Sequence, residues 1–294
     1  MSEQQPFSLR IFVVDGDPDG LRVVERSMWI GKALVFPRAL LPKVKAREEF
    51  RQTGVYFLIG PRDDGEGEML YIGEGDPVCP RLESHYAQKD FWNRAVFFVA
   101  GPGQLNKAHV QYLESHLIQR AKFTKRMRLD NGNQPGPSTL SEADEADMKV
   151  FLENMLGILP VLGINAFEQP GLKSSLETRS DLYLAGKGVE ATAYESNDGF
   201  VVRAGSTAVL QVTPSMKEHL RGFYDKRREL VSLGVLVAMA GDQNYTFSQD
   251  YAFSSPSAAS SIILGQSTNG RTKWKDSSGR TLKAIQESEA GASV

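Results

Sequence analysis

The sequence predicts an α+β protein with two domains, and three observations lead to this fold class. Two apolar segments, 54–60 and 70–73, flank a polar loop rich in Gly and Asp, as in a pair of strands. A longer segment, 106–122, repeats its apolar residues with the period of a helix. The second half of the chain contains short strand-like segments and a basic helical segment, which indicate a separate α+β module. The length of 294 residues suits two domains, or one domain with an appendage.

Bulk composition narrows the class of protein. Apolar residues make up 41% of the chain and charged residues 24%, as in ordinary globular proteins. No apolar run approaches the ~18 residues that span a bilayer, and the polar N-terminus lacks the pattern of a signal peptide. The single cysteine, Cys79, excludes an internal disulfide and a zinc site built from cysteines. We therefore expect a cytoplasmic protein without a membrane partner, and the oligomeric state stays open.

The net charge of −2 excludes a basic field over the whole molecule. Binding of nucleic acid would therefore need local basic patches. One candidate patch lies near the end of the 106–122 segment and consists of Arg120, Lys122, Lys125, Arg126 and Arg128. Cations near the C-terminus of a helix also stabilise its dipole, so a solvated helix end is the alternative interpretation.

Residues 1–50 predict a β-rich N-terminal extension. Segments 8–14 and 21–35 are rich in apolar and β-branched residues, which favour strands. The Asp- and Gly-rich run between them lacks the full ligand pattern of a calcium loop and predicts a turn. A short helix over 40–50 then leads to Gly54.

Residues 51–165 form the predicted central domain. After the strand pair, Pro80 fits the first turn of a helix. This helix presents Arg81 and His85 on one face, because residues four apart are neighbours on a helix. Residues 95–99 predict a strongly apolar strand, which precedes the long helix of this domain.

Glu114 occupies an unusual place on that long helix. With Val110 at 0° and steps of roughly 100° per residue, Glu114 falls at about 40°, inside the apolar stripe. An unpaired carboxylate in such a place costs free energy, so it needs a cation, a hydrogen-bond donor or a metal. A structural salt bridge with a neighbouring basic residue is one interpretation, and a metal site is the other.

A domain boundary is predicted at 166–180, a stretch that contains Pro and Gly. Beyond it, 181–288 predicts the second α+β domain, with short strands and a helix over 217–233. Small polar residues after about Lys283 predict a frayed C-terminus, with 289–294 as its tail.

The polar residues of 54–133 favour phosphodiester hydrolysis over other reactions. No carboxylate pair suggests glycoside chemistry, no nucleophile elbow suggests acyl transfer, and no Walker phosphate loop is present. Hydrolysis of a phosphodiester needs a cation on the phosphate, an activated water and help for the leaving oxygen. Arg81 can supply the cation and Glu114 can hold Mg²⁺. A tyrosine or His85 can take the proton of the water.

Taken in order, these residues resemble the GIY-YIG nuclease family. The likeness covers roughly 50–137 and is carried by Gly54-Val55-Tyr56, Tyr71-Ile72-Gly73, Arg81, His85, Glu114 and Asn131. Val55 stands where the family usually has isoleucine, and Arg81 follows Tyr71 by ten residues. The N-terminal segment and the helix after Ser141 are similar to a bacterial subgroup of these nucleases. In that subgroup, the region corresponding to about 180–288 resembles an accessory domain of unknown function.

The resemblance implies a small mixed sheet of about three main strands flanked by helices. It also implies cleavage of DNA with one divalent metal, Mg²⁺ or Mn²⁺. By position it gives Tyr56 as general base or water-orienting group and Tyr71 as support for the phosphate and water network. Arg81 would stabilise the transition state, His85 would assist proton transfer or contact phosphate, and Glu114 would hold the metal. The site asparagine would be Asn131, preferred to Asn133.

A second hypothesis keeps the fold without the activity, as a catalytically silent module that binds DNA or another protein. The net charge of −2 favours the version that binds a protein. The complete set of site residues favours the enzyme.

For the C-terminal domain we predict recognition of DNA, with Trp274 stacking on a base and basic side chains on phosphates. These basic residues are Arg221, Lys226, Arg227, Arg228, Arg271, Lys273 and Lys275. An ordinary basic surface is the alternative.

Overall fold

The computed structural model describes residues 6–62, 67–132, 136, 139–168, 181–196, 199–238 and 241–291. The chain divides into two units, residues 1–168 and 169–294. This division falls within the predicted boundary 166–180, most of which lies outside the described residues. Both units combine helices with sheets, so the predicted α+β class is confirmed.

The first unit is built around one sheet. Its elements are β1 (Leu9–Val13), β2 (Arg22–Arg26), β3 (Lys32–Pro37), α1 (Leu41–Val44), β4 (Gly54–Pro61), β5 (Glu68–Gly75), α2 (Val78–Gln88), β6 (Arg94–Val99), α3 (Lys107–Thr124), β7 (Arg128–Leu129) and α4 (Glu142–Ile158). In the described part of this unit the strand order is β1-β2-β3-β6-β4-β5-β7. Only the β5–β7 pairing is parallel there, so the sheet is mixed.

The N-terminal strands belong to this same sheet. β3 pairs with β6 from Lys32 opposite Val99 to Pro37 opposite Arg94. Residue 50 is therefore not a structural boundary, and the predicted N-terminal extension is part of the first unit. The three main strands implied by the resemblance are β4, β5 and β6, and the observed sheet is wider because β1, β2 and β3 continue it beyond β6.

Helices cover both faces of the sheet. Val96 and Phe98 of β6 pack in one core with apolar residues of α3 and α4. Phe97 and Val99 point to the other face, in a core with apolar residues of α1 and α2. Because both faces are covered, β4 and β6 are continuous apolar runs with little polar alternation.

The second unit contains two sheets and several helices. Its elements are β8 (Leu182–Gly186), β9 (Val189–Ser196), β10 (Gly199–Val202), β11 (Thr207–Val209), α5 (Pro214–His219), α6 (Arg221–Ser232), β12 (Leu236–Val237), β13 (Asn244–Phe247), β14 (Tyr251–Phe253), α7 (Pro256–Leu264), α8 (Gly270–Lys273) and α9 (Leu282–Gly291). The strands pair in the orders β14-β10-β9-β8 and β11-β13-β12. Across the described parts of both units, no helix combines the length and apolarity needed to cross a bilayer.

Residues 282–291 are more ordered than predicted. A helix, α9, occupies 282–291, so the expectation of fraying after Lys283 is wrong for 284–291, and 292–294 of the predicted tail lie outside the described residues. Leu282 is buried in the core of the second unit and Ile285 packs against that core. The hydroxyl of Thr281 accepts a hydrogen bond from the backbone N–H of Ala284, which stabilises the start of the helix. Two apolar residues in a polar segment were too weak a pattern to predict this.

Candidate active site

The hairpin of β4 and β5 brings its two tyrosines to one face of the sheet. Tyr56 lies opposite Gly73, and Leu58 lies opposite Tyr71. The tyrosines are therefore diagonal neighbours, and their ring centroids are 6.2 Å apart with 29° between the planes. Gly73 makes this arrangement possible, because a Cβ at that position would lie 2.4 Å from the hydroxyl oxygen of Tyr56.

Helix α2 places Arg81 and His85 against the tyrosine pair. The hydroxyl oxygen of Tyr56 lies 2.8 Å from Nε2 of His85, and the rings of His85 and Tyr71 are 4.7 Å apart. One turn earlier on α2, Arg81 also hydrogen-bonds Tyr56. Gly75 lets the start of α2 approach β5, since a Cβ there would lie 2.7 Å from Val78 Cα and 2.8 Å from the carbonyl oxygen of Pro77. The sequence prediction that these side chains meet is consistent with this geometry.

Burial sets the protonation states of Tyr56 and His85. It raises the pKa of Tyr56 far above its ordinary value, Tyr71 raises it further, and Arg81 offsets only part of the rise. Burial also lowers the pKa of His85 to about 4, and the charges of Arg81 and Lys89 act in the same direction. At neutral pH a neutral phenol therefore faces a neutral imidazole. Such a phenol is not an ionised base, whereas the imidazole can accept a proton.

Helix α3 lies on the other face of the sheet and brings Glu114 to the end of β5. Glu114 is half-buried in the apolar stripe of the helix, and it accepts a hydrogen bond from the backbone N–H of Glu74. Burial raises the pKa of Glu114 to about 7, and the carboxylate of Glu74 adds to the rise. Arg81 and Lys107 lower that pKa in part. Arg81 thus acts electrostatically on both Glu114 and Tyr56.

Glu74 is a candidate site residue that the sequence pattern did not predict. Its Oε1 lies 2.5 Å from Nζ of Lys107, and its side chain is only 13% exposed. Its Oε2 is buried and accepts no hydrogen bond from the described part of the chain. Side chains alternate along β5, so Glu74 points to the opposite face of the sheet from Tyr71. This alternation gave no reason to group Glu74 with the tyrosines. The available signal was an acid directly after Gly73.

Glu74 and Glu114 are the two carboxylates near the end of β5 that could hold a divalent metal ion. Within the described ranges, no group of three or more Asp, Glu, His or Cys side chains could hold a metal ion. Mg²⁺ needs fewer protein ligands, because it commonly binds one or two carboxylates and completes its shell with waters and substrate phosphate. The unpartnered Oε2 of Glu74 and the raised pKa of Glu114 both indicate carboxylates that lack a full set of counter-charges.

Asn131 is engaged with the backbone of β5. Its Oδ1 accepts a hydrogen bond from the N–H of Ile72 at 3.1 Å, and its Nδ2 donates to the Ile72 carbonyl at 2.7 Å. β7 pairs with β5 only at Met69 and Leu70, so the asparagine continues the edge pairing beyond them. Both polar groups of the amide are occupied, which indicates a positioning role. Asn133, the other candidate, lies outside the described residues.

Two basic residues predicted to contact DNA are engaged within the protein instead. Arg126 pairs with Glu168 at 3.3 Å, and its side chain is 13% exposed. Arg227 is buried, and its guanidinium donates to the backbone carbonyls of Val209 and Ile262. Their prediction as phosphate contacts is therefore wrong. Sequence alone shows the charge of an arginine but not the carbonyls that surround it.

Trp274 is also unable to stack on a base. It is fully buried, packs against Phe200 with 4.9 Å between ring centroids, and donates from Nε1 to the carbonyl of Pro256 at 3.1 Å. Lys125 is half-buried at the end of α3. Lys226 is half-buried and pairs with Glu229 at 2.8 Å, and Arg120 donates from Nε to the carbonyl of Phe167 at 2.9 Å. The remaining predicted DNA contacts are exposed, namely Lys122, Arg128, Arg221, Arg228, Arg271, Lys273 and Lys275.

Comparison with known proteins assigns a family to a region of the second unit. Residues 182–286 match the family described as a domain of unknown function, DUF4357. This match agrees with the resemblance noted for about 180–288, and it does not reach the unit that holds Tyr56, Arg81 and Glu114. No curated protein and no solved structure matches the chain.

Proposed function

We propose that the first unit is a GIY-YIG-type endonuclease that hydrolyses phosphodiester bonds of DNA with one divalent metal ion, Mg²⁺ or Mn²⁺. The observation that carries this proposal is the meeting of Tyr56, His85, Arg81 and Glu114 at the end of β5. Arg81 supports it most directly, because its charge lowers the pKa of both Tyr56 and Glu114. Separate structural ion pairs would not link a phenol, an imidazole and a carboxylate around one cation.

Proton transfer in this proposal ends on His85. Because Tyr56 is a neutral phenol, it relays a proton. The attacking water gives one proton to the Tyr56 oxygen as Tyr56 passes its own to Nε2 of His85. The water oxygen bonds to phosphorus, the ester P–O bond breaks, and the leaving oxygen takes a proton from solvent. This route requires the His85 tautomer that carries its proton on Nδ1.

Arg81 has two successive partners in the proposed reaction. In the structure its guanidinium hydrogen-bonds Tyr56. A bound phosphodiester would compete for that guanidinium, since arginine forms strong charge-assisted hydrogen bonds with phosphate oxygens. Movement of Arg81 to the phosphate would free a lone pair of the Tyr56 hydroxyl for the attacking water. Substrate binding and water activation would thereby be linked.

Glu114 and Glu74 would hold the metal ion beside the phosphate. Lys107, 2.5 Å from Glu74, would limit the negative charge of this pair. When bound, the metal would withdraw charge from a phosphate oxygen and from the leaving oxygen.

Nicking of supercoiled plasmid DNA tests the proposal. We expect conversion to the open circle with Mg²⁺ or Mn²⁺ and none in EDTA. Arg81→Gln and Glu114→Gln should each lose about 10²–10³-fold in rate, as when a group that stabilises transition-state charge is removed. Arg10→Gln, on β1 at the opposite edge of the sheet from β5 and β7, and Glu153→Gln, on α4, change exposed residues and serve as matched controls that keep the wild-type rate.

The same assay distinguishes the enzyme from the catalytically silent alternative. The substrates are plain, branched and methylated DNA, each tested with several divalent metals. Protein that binds these substrates but cuts none of them would rule out the endonuclease and leave the DNA-binding module. Cleavage that survives Glu114→Gln and Arg81→Gln at the wild-type rate would show that the activity belongs to another site or to a contaminant.

A further inference from the structure

A cavity of about 690 Å³ lies in the second unit, apart from the residues discussed above as a nuclease site. It opens between the start of α6, strand β14 and helix α7. Tyr251, Phe253 and Ile262 line it and are buried. Its volume is within the ~300–1,000 Å³ range of small-molecule sites. The cavity therefore has the size and the apolar wall of a ligand-binding site.

The cations of this cavity favour an anionic ligand. Arg221 and Lys226 both line it, and its lining includes no Asp or Glu. Arg221 is exposed, and its side chain makes no hydrogen bond or ion pair with another described residue. Lys226 is already engaged, because its Nζ lies 2.8 Å from a carboxylate oxygen of Glu229. Arg221 is thus the cation that remains available for a ligand.

The start of α6 adds to this preference. No acidic residue occupies the first turn of the helix, and no side chain caps it. The backbone N–H groups at the start of a helix favour negative charge, and Leu220, Arg221 and Gly222 line the cavity at this point. An anion beside Arg221 would therefore contact both a guanidinium and the positive end of the helix dipole.

Aromatic rings give the cavity a second preference. Phe223, Tyr251 and Phe253 all line it. Phe223 is only half-buried, so part of its ring can stack on a planar ring of a ligand, whereas Tyr251 and Phe253 are buried and supply apolar contact. Strand β14 is also the edge of its sheet, so part of its backbone N–H and C=O groups point away from β10. Ala252 of this strand lines the cavity, where such groups can hydrogen-bond a polar ring edge.

We propose that this cavity binds a nucleotide, with the base against Phe223, Tyr251 and Phe253 and the phosphate on Arg221. The nucleotide is either free or part of a DNA strand, since both present the same ring and phosphate. This site goes beyond the proposed nuclease activity and does not depend on it. An aliphatic anion matches the charge of the cavity but not its aromatic wall.

Calorimetric titration of the full chain in EDTA tests the proposal without any cleavage. The ligands are the four deoxynucleoside monophosphates, the matching nucleosides, inorganic phosphate, octanoate and a short single-stranded oligonucleotide. We expect Arg221→Gln to weaken nucleotide binding about tenfold or more, as for loss of a charge-assisted hydrogen bond. Lys217→Gln removes an exposed cation of the neighbouring α5 outside the cavity lining, and it should keep the wild-type affinity.

The ligands separate the possible occupants. Binding of a monophosphate that Arg221→Gln weakens supports a free nucleotide, and binding of the oligonucleotide alone, weakened in the same way, supports a nucleotide within a strand. Phe223→Leu should weaken nucleotides while leaving inorganic phosphate unchanged. Octanoate binding more tightly than every nucleotide form, no binding at all, or equal binding by Arg221→Gln and wild type would overturn the proposal. Thermal melting of each variant confirms that it is folded.

Discussion

His85 and Glu114 respond to acid in opposite directions. The pKa of His85 is about 4 in the folded protein and near its ordinary value of 6.5 in the unfolded chain. The unfolded chain therefore binds the proton first, and His85 lowers stability as pH falls from 6.5 to 4. The pKa of Glu114 is about 7 in the folded protein against 4.5 unfolded, so the folded protein binds its proton first. Glu114 accordingly raises stability as pH falls from 7 to 4.5, and this contribution is lost as pH rises through 7.

Single substitutions should separate these two effects. As pH falls from 7.5 to 5, the stability of His85→Gln should rise relative to that of wild type, because only the stabilising protonation of Glu114 remains. Over the same fall in pH, the stability of Glu114→Gln should decrease relative to that of wild type, because only the destabilising protonation of His85 in the unfolded chain remains. The measurement is the free energy of unfolding of the first unit in EDTA, from hydrogen exchange of its core amides at both pH values.

A control variant makes the comparison specific to the site. Glu153→Gln changes an exposed carboxylate on α4 and should follow the wild-type pH dependence. If His85→Gln and Glu114→Gln also follow wild type, the protonation states derived for the site are wrong.

At the scale of elements, one side chain, that of Asn131, hydrogen-bonds the backbone of β5 beyond its short pairing with β7. Asn131→Ala removes both hydrogen bonds to the backbone of Ile72. We expect a loss of about 1–3 kcal/mol of stability, because buried backbone groups would lose their partners. The Ile72 amide should also exchange with solvent faster. Hydrogen exchange followed by NMR measures this residue directly, and cleavage should fall because Tyr71 and Gly73 flank Ile72.

Asn154→Ala is the matched control for this prediction. The Asn154 side chain donates to the carbonyl of Val150 within α4, at 2.7 Å. Its removal should leave the exchange of Ile72 unchanged. Normal protection of Ile72 in Asn131→Ala together with lost cleavage would contradict the positioning role and make Asn131 a direct participant in the reaction.

Elements defined by local signals could be predicted from the sequence. Asn106 caps α3 by accepting a hydrogen bond from the backbone N–H of His109, and the apolar period of the helix fixes where Glu114 lies. The β4–β5 pair was predicted in the same way, from two apolar runs around a polar loop. Glu74 could not be predicted in this way. It lies on a strand and Glu114 on a helix, and the periodicity of one element does not show which residues of another element it contacts.

Elements defined by distant contacts could not be predicted in this way. The pairing of β3 with β6 joins segments far apart in the chain, and neither segment specifies its partner. Trp274 stands between Lys273 and Lys275 and suggested an exposed basic surface. In the structure both lysines are exposed, whereas Trp274 is buried in the core. The charges of neighbouring residues therefore do not predict whether a side chain is buried.

At the scale of the whole molecule, each unit has its own hydrophobic core. Among the described residues, the cores on the two faces of the first sheet extend to Phe167, and the core of the second unit begins at Leu182. We therefore expect a fragment of residues 1–175 to fold. Such a fragment separates the proposed chemistry of the first unit from the predicted DNA recognition of the second.

Removal of the second unit should weaken DNA binding and reduce its dependence on salt. The fragment 1–175 lacks the exposed Arg228, Arg271 and Lys273. Each lost phosphate contact should reduce the slope of log affinity against log salt concentration by about 0.9. Fluorescence anisotropy of a labelled duplex at several salt concentrations measures both quantities. In the full chain, Arg271→Gln with Lys273→Gln should give part of the same change. A fragment that binds with the affinity and slope of the full chain would show that these residues do not contact DNA.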